Sequence, residues 1–259
     1  MASQHDVWEF LGEADADWAV ASAPGKQHGA WEGSMSEFYE SGRRRVDEVL
    51  DLLPAPTGCD AVLDYGSGTG RLSFALADRF TKVTAADVSR SMLGLLADRA
   101  RDRGLTIDTV DLRTERPRGG HDLAVSLITL QHMEHMDVVD DALSVISDAV
   151  RTGGFVVIDF PLPPQGWRRT FQPRYRLFRA LRRAGVPHQS LYRLGLSGIS
   201  MLSEAPDAFA ERLRSVGLAV CSHTIDRQQY GPQATYIACK RAVSGDKDQS
   251  PSTARVTDV

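Results

Sequence analysis

The chain has 259 residues, 42% of them hydrophobic and 25% charged, with a formal net charge of −4. That balance belongs to an ordinary globular protein with room for a sizeable core in one large domain or two small ones, and it gives no global case for binding nucleic acid or a membrane surface. Cys59, Cys221 and Cys239 form no C-x-x-C pair, and no apolar run approaches the length of a membrane span; a disulfide framework, a zinc knuckle and stable membrane insertion are not expected, and a reducing compartment fits.

The opening "MASQHDVWEFLGEADADW" is acidic and lacks the basic-then-apolar order of a secretion signal, so a cytoplasmic protein is expected. Trp8, Trp18, Trp31, Phe38 and Tyr39 make the first 40 residues too aromatic for a loose tail. Residues 1–50 are therefore expected to fold onto the domain as a helical, aromatic cap. From about residue 60 to 160, short β-like runs alternate with helix-like ones. "AVLDY" reads as a strand, and in "RLSFALADRF" Leu72, Ala75, Leu76 and Phe80 are spaced to share a helix face. "KVTAADV" is a second strand, and "SRSMLGLLADRARDRG" a helix with Ser89 as N-cap and Gly104 as stop. "LTIDTV" and "DLAVSLI" are the third and fourth strands; "DVVDDALSVISDAVRTGG" is a helix ended by its glycines, and "FVVIDF" a fifth strand. Strands separated by helices predict a parallel sheet covered on both faces, an α/β fold.

The rhythm breaks at "PLPP", where an insert over 161–203 carries eight arginines between Arg168 and Arg193. "EAPDAFAERLRSVG" then predicts a helix with Pro206 in its first turn. "LAVCSHTIDRQ" and "QATYIACKR" predict an antiparallel pair at the sheet edge, so that 204–241 completes the sheet. Residues 242–259 are nearly free of apolar side chains and are expected to be disordered.

The chemistry concentrates in "VLDYGSGTG". Asp64, Gly66, Gly68 and Gly70 lie in D-x-G-x-G-x-G spacing at a strand-to-helix turn. Three glycines exceed what a plain turn requires, and the helix start that follows offers free N–H groups to a carboxylate or phosphate. The third glycine comes one residue too early for G-x-G-x-x-G, and no G-K-[ST] follows, so a P-loop is excluded. Asp87 closes the second strand, where an acid can accept both hydroxyls of a ribose. Asp111 closes the third, placed for an adenine amine, and Asp64 can meet an ammonium group. An adenine, a ribose and an amino acid together describe S-adenosylmethionine (SAM).

With "TAADVSRSML", "TVDLR" and "HDLAVSLITLQHM", this stretch resembles the class I SAM-dependent methyltransferases, and more loosely the bacterial ones that modify small molecules. The resemblance implies a seven-stranded Rossmann-like sheet of order 3-2-1-4-5-7-6, its last strand antiparallel, with residues 51–160 as the SAM-binding core. It further implies that Asp64, Gly66, Ser67 and Gly68 hold the methionine end of SAM. Asp87 would take the ribose, with Val88 and Met92 beside the adenosine; Asp111 and Leu112 would flank the adenine, and Leu127 and Ile128 would pass under the sulfonium. Tyr65 departs from the family's usual aliphatic residue at its position, and packing under the sheet accounts for it.

His132 and His135, in "QHMEHM", follow the fourth strand and on one helical turn would share a face. Three readings compete for them: general base, structural support of the loop, or metal ligation together with Glu134. The spacing fits neither H-E-x-x-H nor H-x-x-E-H, so no metal is expected. His28 and His188 are remoter base candidates, and His5, His121 and His223 are expected at the surface. The arginine-rich insert reads as a lid helix with solvated charges, or as a site for an anionic substrate, a carrier protein or a membrane surface. It is expected to close the acceptor pocket together with the N-terminal segment. The sequence thus predicts methyl transfer from SAM to a small molecule, most readily at a hydroxyl oxygen, with no nucleic-acid partner. The competing readings are a macromolecular, lipid-linked or anionic acceptor, and a SAM-binding cyclase that transfers no methyl group.

Overall fold

The computed structural model describes residues 4–22, 25–54, 60–164, 172–228 and 231–242. Its centre is a seven-stranded sheet of β1 (Ala61–Tyr65), β2 (Lys82–Asp87), β3 (Asp108–Asp111), β4 (His121–Ser126), β5 (Val150–Pro161), β6 (Leu218–Gln228) and β7 (Gly231–Lys240), in the order β3-β2-β1-β4-β5-β7-β6. The first five strands pair in parallel, and β7 runs antiparallel to both β5 and β6. The helices are α1 (Gln4–Val20), α2 (Met35–Asp51), α3 (Ser73–Ala77), α4 (Arg90–Asp102), α5 (Met136–Ala149), α6 (Pro173–Arg183), α7 (His188–Arg193) and α8 (Pro206–Ser215).

The two-residue period of the strands decides which helices cover which face. Val62 of β1 joins Val46, Val49, Leu72 and Leu76 on the α2/α3 side. Leu63 and Tyr65 point the other way, against Val139 and Leu143 of α5 and Phe209 of α8. Each such side chain, fully buried, contributes about 1.5–3 kcal/mol. Tyr65 thus packs beneath the sheet, where burial pushes its hydroxyl up to about 12. Ser89 caps α4 by accepting the Met92 N–H at 3.3 Å.

Several local expectations are corrected. The first helix after the glycines is short, Ser73–Ala77. The third strand occupies Asp108–Asp111 rather than starting at Leu105. The glycines of "RTGG" do not stop a helix: α5 ends at Ala149 and β5 already begins at Val150. There the β4–β5 register shifts between His121 and Leu123; Gly153 has φ +79°, and a Cβ on Gly154 would lie 2.9 Å from the Asp122 carbonyl oxygen. The two glycines therefore serve a strand irregularity, a role that Gly-Gly after a helical run does not distinguish from a C-cap.

The N-terminal segment and the insert share one apolar cluster. Val7 and Leu11 of α1 meet Met92 of α4, Phe178 of α6, and Leu191 and Tyr192 of α7. Asp15, in non-helical conformation inside α1, accepts from the backbone N–H of His28 and Gly29 and from the Tyr192 hydroxyl. No helix among the described residues is long and apolar enough to cross a membrane. The expected disordered tail lies, apart from Ala242, outside the described residues.

Candidate active site

The turn after β1 is built by glycines at φ +82° (Gly66), +53° (Gly68) and +91° (Gly70). The N–H groups of Gly66 and Ser67 both donate to the Ala86 carbonyl, at 2.7 and 3.1 Å, which ties the turn to β2. Each glycine is also crowded. A Cβ on Gly66 would lie 2.1 Å from Thr129 Cγ2, and one on Gly68 2.3 Å from Val20 Cγ2 of α1; one on Gly70 would meet Phe74 at 2.8 Å. The bareness of the stretch thus serves conformation and close packing at once.

Above the carboxyl ends of β1, β2 and β4 lies a cavity of about 410 Å3, within the about 300–1,000 Å3 common for small-molecule clefts. Asp64, Gly66, Ser67, Gly68, Asp87, Val88, Met92, Leu112, Leu127, Ile128 and His132 all line it. Asp111 and His135 do not. The Asp111 carboxylate is instead taken by Arg90 at 2.6 Å and Arg113 at 3.1 Å, and after the cost of desolvation these guanidiniums hold it down at about 2. In the sequence its strand-end position equals that of Asp87; the arginines that turn it aside stand at positions 90 and 113, and only their approach in space is decisive.

Asp64 is fully buried, and desolvation pushes its carboxyl up to about 6 although Ser73 Oγ donates to it at 2.6 Å. Asp87 is raised as well, again chiefly by desolvation. Its oxygens accept from the N–H groups of Gly68 at 2.8 Å and Ser89 at 2.9 Å. Two charged groups were missed by the sequence reading. Arg71, directly after the glycines, is buried on the cavity wall; desolvation lowers its pKa, and its Nε has no partner among the described residues. Asp159 of β5 is fully buried; its Oδ1 accepts the Ile128 N–H, at a residue held at φ +57°, and desolvation raises its carboxyl to about 6. The visible signals were an arginine closing "GTGR" and an acid inside the apolar run "FVVIDF".

His132 ends a short 3-10 turn, Leu130–His132, whereas His135 is the exposed residue preceding α5. They share no helical face, because an extended residue, Met133, separates the two elements. The His132 ring is buried, with Nδ1 2.8 Å from the Ser200 carbonyl oxygen. A carbonyl only accepts, so Nδ1 carries the proton and Nε2 presents a lone pair. The nearest polar neighbour of Nε2 is the Gln131 amide at 3.5 Å, a long contact. Desolvation lowers the His132 pKa. His121, expected at the surface, is buried between the Ala149 carbonyl oxygen and the Thr84 hydroxyl, each at 3.0 Å.

The other wall comes from α1 through Gln4, His5, Trp8, Ala19 and Val20. Of the insert expected over 161–203, none of the described residues lines this cavity. The insert acts one layer back, supporting α1 through the shared apolar cluster and His132 through Ser200.

The strand order, the reversed β7 and the cavity at the glycine turn define the class I SAM-dependent methyltransferase fold, and this chain has it. Residues 62–154 match the methyltransferase domain family. The chain is 34% identical over 119 residues to an uncharacterised methyltransferase of Mycobacterium tuberculosis, covering 45% of this chain and 58% of that protein. It is 27% identical over 128 residues to a ubiquinone biosynthesis O-methyltransferase of Aeromonas salmonicida, covering 49% and 53%. The chain therefore spans less than two thirds of either relative's own length. Magnesium protoporphyrin IX methyltransferase of Synechocystis PCC 6803, solved with SAM bound, superposes with a TM-score of 0.60 at 15% identity, covering 93% of this chain and 99% of that one.

Proposed function

We propose that this chain is a SAM-dependent methyltransferase acting on a small-molecule acceptor, most directly at a hydroxyl oxygen. The observation that carries the reading is the cavity wall that joins the bare glycine turn to two buried carboxylates and a buried guanidinium. The unpartnered Arg71 Nε and the buried, unpartnered Ser67 Oγ suit a zwitterionic amino-acid end, with Asp64 for the ammonium and Arg71 for the carboxylate. Asp87 would accept from the ribose hydroxyls through lone pairs left after its two backbone contacts, and Val88, Met92 and Leu112 give an apolar seat for the adenine. Leu127 and Ile128 would border the sulfonium. Asp111, paired with two arginines, is left out of the binding set. When bound, SAM supplies an electrophilic methyl carbon.

The chain's own part is to exclude water with α1, to orient the acceptor, and to take its proton at Nε2 of His132, a residue of the cavity wall. The resemblance to an O-methyltransferase supports oxygen as the acceptor atom. Mass spectrometry of products decides the reaction class: an acceptor heavier by one methyl group is expected, and an isomer of unchanged mass would replace this reading with a cyclase.

Two consequences follow for cofactor binding. Asp87→Ala is expected to weaken S-adenosylhomocysteine by about 1–3 kcal/mol, the scale of lost charge-assisted hydrogen bonds. Unchanged affinity by calorimetry would remove Asp87 from the site. The second concerns pH. Asp64 is raised to about 6 in the free protein, so below that pH it is neutral and cannot pair with an ammonium. Affinity for S-adenosylhomocysteine should therefore rise as pH increases from 5 to 7, by up to about tenfold per unit for one released proton, and the rise should vanish in Asp64→Asn. A flat profile in the unaltered protein would break the pairing.

A further inference from the structure

The insert carries three of its arginines to a second recess beside the main cavity. Of its 22 residues from Gln172 to Arg193, six are arginine and none is acidic. Three of the arginines, Arg179, Arg182 and Arg183, together with Tyr175 of the same helix, line a pocket of about 70 Å3 between α6 and the start of α1. Its walls include Gln4 and Glu134, which also line the main cavity, so the two spaces adjoin.

The donors in this recess exceed the acceptors. Arg182 gives one N–H to the Val186 carbonyl at 2.8 Å, yet its Nε is buried without a partner among the described residues. Gln4 is buried to nine-tenths, and its Nε2 likewise has none among them. The Arg179 guanidinium lies over the Tyr175 ring, 5.8 Å from its centroid, and among the described residues neither Arg179 nor Arg182 is ion-paired. Among the described residues Glu134 is the one acid on the wall, and its carboxylate lies 3.9 Å from His135 Nε2. Two buried donors without partners among the described residues, on residues that wall one small space beside the Arg179 guanidinium, mark a place that an oxyanion would complete. Guanidiniums meet phosphate and carboxylate oxygens in paired, planar geometry, which suits them to this better than lysines.

We propose that the acceptor carries a compact oxyanion, a phosphoryl or carboxyl group, which this recess binds while the rest of the molecule passes Gln4 and Glu134 into the main cavity. The idea rests on the methyltransferase reading above and narrows its substrate class to anionic small molecules. Arg179 and Arg182 supply the charge, and the Gln4 amide and the Tyr175 hydroxyl supply neutral donors. The recess sits on α1, the helix that also walls the main cavity, so filling it fixes that helix in its covering position.

The test titrates inorganic phosphate, and separately acetate, into the full chain saturated with S-adenosylhomocysteine, followed by calorimetry. At least one of the two should bind, and whichever binds tighter names the group. Arg179→Gln with Arg182→Gln should weaken it about tenfold or more, as expected for lost charge-assisted bonds. S-adenosylhomocysteine affinity should not change. Arg182 also holds the turn after α6, so Arg179→Gln alone, which removes no structural hydrogen bond, should show a smaller loss in the same direction. Arg193→Gln, exposed on the same insert and outside the recess, should leave binding intact. Binding of neither anion, equal binding in the double variant, or an equal loss from Arg193→Gln would each overturn the proposal. Failure of S-adenosylhomocysteine to bind the unaltered chain would instead sink the methyltransferase reading, whatever the anions do.

Discussion

Gly66→Ala is expected to destabilise the protein by about 2–5 kcal/mol, the joint cost of a left-handed backbone for an L residue and of overpacking. The backbone at Gly66 has φ +82°, and the added methyl would lie 2.1 Å from Thr129 Cγ2 and 2.7 Å from Thr129 Cβ. Rotating the threonine does not relieve a clash with its Cβ, so the turn itself must shift. That would break the two N–H bonds to Ala86 which anchor it on β2. The entropy gained by replacing glycine with alanine is only about 0.4–1 kcal/mol and does not offset this. Gly94→Ala supplies the contrast. It lies within α4 at ordinary helical φ with nothing within 4 Å of a new Cβ, and should stabilise by about 0.5–1 kcal/mol. Denaturant unfolding of the two variants measures both. Equal effects would mean that the glycine turn is not under the constraint its geometry describes.

His132→Asn should lower kcat by about 10²–10⁴, the usual contribution of a positioned base. Asparagine can still donate to the Ser200 carbonyl where His132 Nδ1 now sits, which preserves the support of the turn while removing the proton acceptor. Affinity for S-adenosylhomocysteine and the unfolding midpoint should stay close to those of the unaltered chain. A positioning role would give the opposite pattern, with kcat retained in the asparagine variant. The pH profile adds a second readout. Desolvation lowers the His132 pKa below its ordinary value of 6.5, so the ring is neutral and able to accept at neutral pH. The acid limb of kcat should lie below pH 6.5 and disappear in the variant. The same shift has a stability consequence of defined sign. Burial of the neutral ring contributes stability that is present above pH 6.5 and is lost as pH falls towards the folded-state value.

The first five strands were legible because each is a short apolar run bounded by turn residues, and parallel pairing needs the helices that separate them. Reading failed where one residue pattern serves two structures. "RTGG" fits a helix stop and a strand bulge equally, and the β4–β5 register decides between them. "QHMEHM" looks like one helical turn, but the chain extends at Met133 and sends His135 to the surface. Asp87 and Asp111 occupy equivalent strand ends, paired directly across β2 and β3, yet Asp87 is buried on the cavity wall while Asp111 is paired with two arginines.

What the sequence determined by itself is the order of elements and the location of the glycine turn with Asp64 and Asp87. Both follow from local rules, since hydrophobic period sets strands and helices, and only glycine tolerates three left-handed positions so close together. What the tertiary structure alone decided is which side chains face the cavity. It brought in Trp8 and Val20 from far upstream and seated Arg71 beside Asp64; it buried His121, and it placed three of the insert's arginines around a separate recess. Burial and partner choice depend on contacts between residues distant along the chain, and a charge pattern carries no record of which neighbours will desolvate it.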